Sequence, residues 1–296
     1  MIFFFNKGRL GNQLFHYAFL ITIRNAGERM CVIGMSELFE LLDTRDRRCW
    51  HINRYPFRSL AGNMLATLAR LRIIASVGWH RDAKHPSPVP PVVTRRGLFN
   101  SWRFVRPDYY QSEQYLPVGY KDRLPVRAVH LAQARRYLAQ FPAAFTLVFI
   151  HVRRGDYLTE SYAGIQGLAL PPAYYHRAIA IAHARLSNPC FIVLSDDIPY
   201  CRQLFAAYPD FQYSSNPPLV DFAIMTLAHA AIISNSTFSW WGSKLAANLK
   251  LIMSPRYWYG WRIKKTEPPL IQAADFVQID CVEDGEVPDE RVHAPA

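Results

Sequence analysis

The sequence predicts an α/β protein with parallel sheets, on three observations. Short apolar segments of strand length alternate with longer segments of helical periodicity. This alternation begins at the N-terminus and starts again near residue 140. Half of the 296 residues are hydrophobic, which is enough apolar material for two packed cores. We therefore expect two α/β domains, at residues 1–140 and 141–296.

The first half opens with a strand, a glycine-bearing loop and a helix. The segment MIFFF predicts a short buried strand, and NKGRLGNQ (6–13) predicts a loop. Residues 14–27 predict a helix that is closed by Gly27, and residues 28–34 predict a second strand. The proline-rich residues 84–97 predict a loop or linker.

The second half repeats the alternation more regularly. A helix that contains Leu131–Leu138 ends before Pro142, and a continuous apolar strand follows it. The later predicted elements are, in order, strand 145–153, helix 172–186, strand 190–197, helix 218–230, strand 231–234, helix 237–249 and strand 250–255. In such a doubly wound sheet, ligands bind beyond the carboxyl ends of the strands.

Positive charge is concentrated in the first half. Residues 1–140 carry 22 Lys and Arg against 9 Asp and Glu, whereas residues 141–296 carry 12 against 14. An anionic partner is expected, but the lack of a nucleic-acid module argues against nucleic acid. Residues 59–81 have apolar side chains at helical spacing beside arginines. They predict a core helix or, less favoured, a peripheral contact with an anionic membrane.

Cysteine usage and hydropathy bear on the compartment. The five cysteines are scattered and form no C-x-x-C pair, which is typical of a reducing compartment rather than of a disulfide framework or zinc site. No segment has a signal-peptide pattern or approaches the ~20 apolar residues of a membrane span. We therefore expect a cytoplasmic protein.

Charged and hydroxyl side chains follow three of the predicted strands. They are, in chain order, Arg153, Arg154 and Asp156; Asp196 and Asp197; and SNSTF at 234–238. Arginine binds phosphate oxygens bidentately, and a helix N-terminus rich in Ser and Thr binds anions. Because neither a Walker motif nor G-x-G-x-x-G is present, the diphosphate of a sugar nucleotide is the favoured ligand.

Five motifs resemble the bacterial α-1,2-fucosyltransferases of glycosyltransferase family 11, within the superfamily that uses GDP-fucose. They are GRLGNQLFHYAF (8–19), YYQSEQYL (109–116), HVRRGDY (151–157), FIVLSDD (191–197) and ISNSTFSWWG (233–242). The motifs stand in the family's order and span about four fifths of the chain. Residues 28–105 and 243–296 match only weakly.

The resemblance implies two facing Rossmann-like domains of the GT-B type. Residues 1–140 would form the acceptor side, and residues 141–296 would bind GDP-fucose. The implied reaction transfers L-fucose from GDP-β-L-fucose to the 2-hydroxyl of a galactose in a glycan, with inversion and without a metal or other cofactor. The sequence has no D-x-D motif, which agrees with this expectation. Arginines would then neutralise the leaving diphosphate.

The resemblance implies catalytic roles for Arg154, Asp156 and Asn12. Arg154 is favoured for the β-phosphate, and Arg153 is the second donor-binding arginine or a support for the loop. Asp156 is either the base that deprotonates the acceptor hydroxyl or a support for an arginine, because a carboxylate paired with a guanidinium is a poor base. The two alternatives stay open at this point.

The remaining expected ligand-binding residues are Gly11, Gln13, Asp221, Asn235, Ser236, Thr237 and Phe238. Asp221 would accept hydrogen bonds from guanine, and residues 236–238 would hold the diphosphate or ribose. Residues 11–13 would lie near the fucose or acceptor. Strand-end turns or caps are expected for Asp196 and Asp197, packing roles for His16, Trp240 and Trp241, and loop orientation for His151.

Two alternative functions remain. One is a related glycosyltransferase that uses another sugar nucleotide or linkage, and the other is a non-enzymatic anion-binding or membrane-binding protein. The acceptor glycan is not specified by the sequence. The basic first half favours a lipid-diphosphate-linked acceptor and a peripheral position at the inner membrane face.

Overall fold

The computed structural model describes residues 1–44, 46–53, 58–79, 91–162, 164–265 and 271–281. The chain divides into two compact units, Met1–Pro125 and Val126–Ala296. This division comes earlier in the chain than the boundary expected near residue 140. The reason is a tertiary contact: the helix Ala128–Leu138 packs against the helix Pro218–Leu227 of the second unit.

The first unit is built on a mixed sheet. Its described elements are β1 (Ile2–Phe5), α1 (Leu10–Ile23), β2 (Met30–Ile33), α2 (Ser36–Leu41), β3 (Cys49–Ile52), α3 (Arg58–Arg70), β4 (Ile74–Trp79), β5 (Val92–Arg95), β6 (Phe99–Val105) and α4 (Tyr120–Arg123). The strand order is β3-β2-β1-β6-β4-β5, and all neighbours are parallel except the antiparallel pair β4 and β5. Leu65 of α3 packs with Ile74 and Phe104 in a core on one face of this sheet.

The structure corrects two expectations in the first unit. The segment 59–81 is not one helix: α3 ends at Arg70, and β4 begins at Ile74. Between them Arg72 adopts a left-handed conformation (φ 58°), which ends the helical path before the β-branched Ile73 and Ile74. The segment 84–97 is not wholly a loop, because β5 pairs with β4 at the sheet edge. Residues 80–90 lie outside the described part of the chain.

The second unit follows the sequence prediction closely. Its described elements are α5 (Ala128–Leu138), β7 (Thr146–Val152), β8 (Ser161–Tyr162), β9 (Ile165–Gln166), α6 (Pro172–Arg185), β10 (Pro189–Ser195), α7 (Ile198–Leu204), β11 (Gln212–Tyr213), α8 (Pro218–Leu227), β12 (Ala230–Ile232), α9 (Thr237–Leu245), β13 (Leu251–Pro255) and β14 (Val277–Ile279). The order β11-β10-β7-β12-β13-β14 is parallel throughout, and β8 and β9 form a separate hairpin.

Helices cover both faces of the second sheet, and β7 shows which helices cover which face. Side chains on a strand alternate between faces. Val148, Ile150 and Val152 enter the core that contains residues of α6 and α7. The intervening His151 lies with its ring 5.6 Å from that of Phe238 on α9. The α6–α7 side and the α8–α9 side are therefore opposite faces.

Two helical glycines give a matched test of this packing. A Cβ at Gly242 of α9 would lie 2.8 Å from Met225 Cβ of α8, which cannot move without shifting the helix. We expect Gly242→Ala to lower the free energy of unfolding by about 1–3 kcal/mol. Gly62 lies within α3, where a Cβ would meet the Phe5 ring at 3.4 Å.

As the control, Gly62→Ala removes a flexible residue from a helix and should be neutral or stabilising by up to about 1 kcal/mol. Denaturant unfolding of both variants measures the difference. Equal effects of the two substitutions would contradict close α8–α9 packing.

Candidate functional site

The two consecutive arginines that follow β7 have different side-chain partners. Arg154 stacks on α7, with its Cζ 3.5 Å from the Tyr200 ring centroid and its Nε 3.1 Å from Asp197 Oδ2. Arg153 directly follows β7; its Cζ lies 5.5 Å from the Tyr157 ring centroid, and its charge acts on His151. The family resemblance favours Arg154 for the phosphate, whereas Arg153 is the arginine whose charge acts on His151, the partner of Ser234 before α9.

Two carboxylates hold Arg153 in place. Its Nη2 lies 2.5 Å from Asp156 Oδ1, and its Nη1 lies 2.7 Å from Asp196 Oδ2. Asp196 Oδ1 also accepts from the backbone N–H of Arg154 at 2.9 Å. Gly155 permits this arrangement, because a Cβ there would stand 2.7 Å from Asp196 Oδ2. Asp196 is therefore more than a turn residue: it fixes the loop that carries both arginines.

The N-terminus of α9 lies beside this loop. Ser236 is its N-cap and accepts from the Phe238 N–H at 3.3 Å, while Ser234 Oγ lies 2.7 Å from His151 Nδ1. Burial, reinforced by the nearby Arg153 charge, lowers the pKa of His151 to about 3. His151 is thus a neutral buried link between β7 and the start of α9, as expected for a residue that orients the loop. Thr237 is the first residue of α9.

Asn235 connects the α9 N-terminus to an aromatic pair. It is fully buried, and its Nδ2 donates to the Leu168 carbonyl at 2.7 Å, whereas its Oδ1 has no hydrogen-bond partner among the described residues. Its backbone carbonyl accepts from the Tyr157 hydroxyl at 3.2 Å. Tyr259 lies 3.0 Å from that hydroxyl, oxygen to oxygen. Sequence reasoning missed Tyr259, which stands in a segment without a recognised motif.

Asp221 occupies the first turn of α8, on the same side of the sheet. The neighbouring Phe222 packs its ring 5.3 Å from Phe238, which brings the start of α8 close to that of α9. Ser214 donates to Asp221 Oδ1 at 2.5 Å. Burial raises the pKa of Asp221 to about 7, and the Ser214 hydrogen bond opposes this shift. A half-buried carboxyl with one hydroxyl partner suits a ligand that donates N–H groups.

The residues predicted in the first unit have internal partners. Asn12 Oδ1 accepts from Gln111 Nε2 at 2.8 Å, which joins two of the sequence motifs. Gln13 is buried. Its Oε1 accepts from the Leu38 N–H at 2.9 Å, and its Nε2 donates to Glu37 Oε2 at 3.1 Å. Gly11 is also buried in the first turn of α1. The Gln13 amide therefore links α1 to α2.

The packing and capping roles expected from the sequence are confirmed. Trp240 and Trp241 are fully buried, and His16 is buried with its Nδ1 2.9 Å from Asn6 Oδ1. Burial lowers the pKa of His16 to about 3. Asp197 is the N-cap of α7 and accepts from the Tyr200 N–H at 3.1 Å.

The described residues contain neither a cluster of potential metal ligands nor a helix of membrane-spanning character. No group of three or more His, Cys, Asp or Glu side chains in the described ranges converges as metal ligands would. None of the helices in that part of the chain combines the length and apolar composition that crossing a bilayer requires.

Residues 89–268 match the protein family described as Glycosyl transferase family 11, which is more than half of the chain. The chain belongs to glycosyl transferase family 11. The predicted family membership is thereby confirmed, and it favours an enzyme over the non-enzymatic alternative.

Curated relatives in this family are bacterial and mammalian. The chain is 35% identical over 115 residues to the O-antigen biosynthesis glycosyltransferase WbnK of Escherichia coli, covering 37% of this chain and 38% of that protein. It is 31% identical over 160 residues to the E. coli alpha-1,2-colitosyltransferase, covering 51% and 54%. It is 33% identical over 262 residues to galactoside alpha-(1,2)-fucosyltransferase 2 of Rattus norvegicus, covering 81% and 65%. The chain thus spans less than two thirds of the length of each of these relatives.

Solved structures show the fold of this family 11 member. POFUT1 in complex with GDP-fucose matches with a TM-score of 0.52 at 13% identity, over 86% of this chain and 97% of that one. NodZ alpha-1,6-fucosyltransferase crystallised with GDP matches with a TM-score of 0.51 at 12% identity, over 86% and 94%. The predicted fold class is confirmed: α/β, with two Rossmann-like units of the GT-B type.

The raised pKa of Asp221 predicts how stability depends on pH. The folded protein binds this proton more tightly than the unfolded chain does between pH 3.8 and about 7, so the Asp221 contribution to stability falls as pH rises through that window. Asp221→Asn removes this effect. We expect the Tm of Asp221→Asn minus the Tm of the parent protein to be about 2–4 °C more positive at pH 8 than at pH 5.

Thermal unfolding at both pH values measures this, with the exposed Asp210→Asn as the matched control. If the Tm difference from the parent protein changes equally between pH 5 and pH 8 for the two variants, burial does not raise the pKa of Asp221.

Proposed function

We propose that the chain is a galactoside α-1,2-L-fucosyltransferase, which transfers L-fucose from GDP-β-L-fucose to the 2-hydroxyl of a galactose with inversion. The observation that carries this proposal is the proximity of the starts of α8 and α9, which bear Asp221 and Ser236, to His151, on which the Arg153 charge acts. The names of the rat and E. coli relatives support the linkage and the class of donor.

The donor is expected to lie along the α8–α9 side of the second unit. Asp221 would accept from the guanine N1 and N2 hydrogens, and these donors would favour its ionised form. The diphosphate would lie between Arg153 and the α9 N-terminus, where free N–H groups and the positive end of the helix dipole stabilise anions. Ser236 and Thr237 add hydroxyl groups there, and Phe238 would border the ribose.

Arg153 is the better candidate for the phosphate, and Arg154 for support of the loop. The Arg153 charge acts on His151, which contacts Ser234 and the Phe238 ring at the start of α9, whereas Arg154 lies over the Tyr200 ring of α7. The carboxylates of Asp156 and Asp196 fix the Arg153 guanidinium before the ligand arrives, and its remaining N–H groups stay available. Such a preorganised charge stabilises the transition state without reorganisation during the reaction.

The chemical step would proceed by displacement at the anomeric carbon of fucose. The bond between this carbon and the β-phosphate oxygen breaks, and its electron pair passes to GDP. The acceptor 2-hydroxyl oxygen attacks the opposite face of the ring, which inverts the configuration, and its proton then passes to solvent water. Arg153 would stabilise the charge that develops on the diphosphate.

The Asp156 carboxylate would support Arg153 rather than act as the base. It lies 2.5 Å from Arg153 Nη2, and its side chain is 40% exposed. An acceptor oxygen would therefore compete with a guanidinium for the same carboxylate.

Asn12 and Gly11 of the first unit would contact the acceptor. The Gln13 amide would act indirectly, by holding α1 against α2.

We propose no metal or cofactor for this reaction, because Arg153 supplies positive charge where a metal would otherwise bind the diphosphate.

A second donor sugar is also supported. The match to an alpha-1,2-colitosyltransferase suggests that a deoxy sugar other than fucose is an alternative substrate.

A donor panel tests the proposed function. The protein is incubated with lactose and, separately, GDP-fucose, GDP-mannose or UDP-galactose, and release of the nucleoside diphosphate is measured with and without EDTA. We expect GDP release from GDP-fucose alone, a 2-linked fucosyl product, and no loss of rate with EDTA.

Arg153→Ala is expected to lower the rate with GDP-fucose by about 10²-fold or more, since one transition-state donor of this kind contributes that much. Release from UDP-galactose but not from GDP-fucose would contradict the donor assignment. Loss of activity with EDTA, restored by Mg²⁺, would contradict the proposal of a metal-free reaction.

We also propose that the first unit contacts an anionic membrane at the inner face, where a lipid-linked acceptor would be found. Three exposed apolar side chains adjoin where α3 ends and β6 begins: Leu71, Leu98 and Phe99 are 62%, 80% and 63% exposed. The Leu98 N–H donates to the Arg72 carbonyl at 2.9 Å, which brings the two segments together. The exposed arginines in these segments are Arg70, Arg72, Arg95 and Arg96. Apolar side chains among basic ones are typical of interfacial membrane contacts.

Vesicle sedimentation tests this contact. We expect binding to phosphatidylserine-containing vesicles that exceeds binding to pure phosphatidylcholine and weakens with salt. The double variant Leu98→Ser, Phe99→Ser should lose binding, whereas Val118→Ser, at a side chain that is 97% exposed, should keep it. Equal binding of the two variants would rule out this surface.

A further inference from the structure

A pocket of about 430 Å³ lies in the second unit, on the α6–α7 side of the sheet. The proposed nucleotide site is on the other side, so the proposed function leaves this pocket without a ligand. Its volume is near the lower end of the roughly 300–1,000 Å³ that small-molecule sites occupy. The pocket therefore has room for a compact ligand such as one sugar residue.

Two guanidinium groups line the pocket, and each is stacked on an aromatic ring that also lines it. Arg154 Cζ lies 3.5 Å from the Tyr200 ring centroid, and Arg262 Cζ lies 4.8 Å from that of Trp261. Each guanidinium lies over a ring face, and this cation–π contact leaves N–H groups available to an oxyanion. Asp197 also holds Arg154, whereas Arg262 is exposed to solvent.

The charge of the pocket lining is positive. Asp197 Oδ2 pairs with Arg154 Nε at 3.1 Å, but no carboxylate of the described residues lies within ion-pair distance of Arg262. Pro171 and Pro172 at the start of α6 also line the pocket. The positive end of the α6 dipole adds to the potential there, although prolines donate no hydrogen bonds.

Most of the other residues that line the pocket have apolar side chains, which suits a sugar ring better than a free ion. The two proline rings, Leu170 and the Tyr200 ring are surfaces against which the C–H groups of a pyranose can pack. A bare inorganic anion would use the arginines and leave these walls uncovered. A nucleotide base is less suitable, because the described lining offers no carboxylate that is free to read a base edge.

We propose that this pocket binds an acidic hexose, a sugar ring that carries a carboxylate or a phosphate. Arg262 is the main anion ligand, and Arg154 assists from its position on Tyr200. Arg153 and Arg154 are consecutive, so the pocket and the proposed nucleotide site share the end of β7. The assignment of this sugar to the glycan acceptor rests on the proposed function, whereas the binding site itself does not.

Direct binding tests this inference without any transfer reaction. Affinities for D-glucuronate, D-glucose 6-phosphate and neutral D-glucose are measured by ligand-observed NMR in saturating GDP, which fills the nucleotide site. We expect one or both acids to bind and glucose not to bind. The acid that binds identifies the anionic group as carboxylate or phosphate.

Arg262→Ala should weaken binding of the acid by about tenfold or more, as expected for loss of a charge-assisted hydrogen bond. Arg185→Ala, at an exposed arginine in the last turn of α6, is the matched control and should bind the acid like the parent protein. An unchanged affinity for GDP in Arg262→Ala would show that the fold is retained.

Three results would overturn the inference: neither acid binds, glucose binds as well as the acids, or Arg262→Ala binds the acid like the parent protein. Displacement of the acid by GDP would also overturn it, because the anion would then occupy the nucleotide site. If the acid binds but fucosyl transfer is absent, the pocket stands as a binding site and the proposed function fails separately.

Discussion

The pleat of β7 is the constraint on which the candidate site depends. β7 lies inside the sheet and pairs in register with β10 on one side and β12 on the other, so its alternation is fixed from both sides. That alternation directs His151 toward α9 and Val152 toward the α6–α7 core, and the two arginines follow directly, with Arg154 over the Tyr200 ring of α7. A slip of one residue would turn His151 away from α9 and remove Val152 from the α6–α7 core, and it would displace the arginine loop that follows.

Two neighbouring guanidiniums repel each other, and the structure offsets this with three carboxylates. Asp156 and Asp196 bind Arg153, and Asp197 binds Arg154. A Cβ at Gly155 would lie 2.7 Å from Asp196 Oδ2, so a side chain there would displace the carboxylate that binds Arg153. The spacing R-R-G-D therefore has a physical reason in this chain. One short turn contains two basic side chains, a glycine that lies close to Asp196, and the Asp156 carboxylate that binds Arg153. The same contacts fix the arginines before a ligand binds, which lowers the cost of ordering them later.

Much of the second unit could be predicted from the sequence, because its strands are continuous apolar runs and its helices have clear starts. The motif residues 234–238 were correctly placed at a helix N-terminus beyond a strand. The choice between Arg153 and Arg154 could not be made in this way. β7 is apolar on both faces, so its sequence contains no polar alternation that would show which side chain points toward α9.

Other features depend on contacts between distant segments. The unit boundary moves to Pro125 because α5 packs on α8, and no local signal in residues 126–140 indicates that contact. β5 follows a proline-rich stretch and exists because Val92 and Val93 pair with β4. Tyr259 and Arg262 belong to a segment without a motif, and only the fold brings them to Tyr157 and to the pocket.

The most direct test of the central claim is the affinity for GDP of two variants that remove the neighbouring arginines in turn. Calorimetric titration of Arg153→Ala and Arg154→Ala with GDP distinguishes the contributions of the two arginines to GDP affinity. Circular dichroism verifies that both variants fold. The arrangement predicts that Arg153→Ala weakens GDP binding by about tenfold or more, whereas Arg154→Ala changes it little. A larger loss for Arg154→Ala would contradict the assignment of Arg153 to the diphosphate.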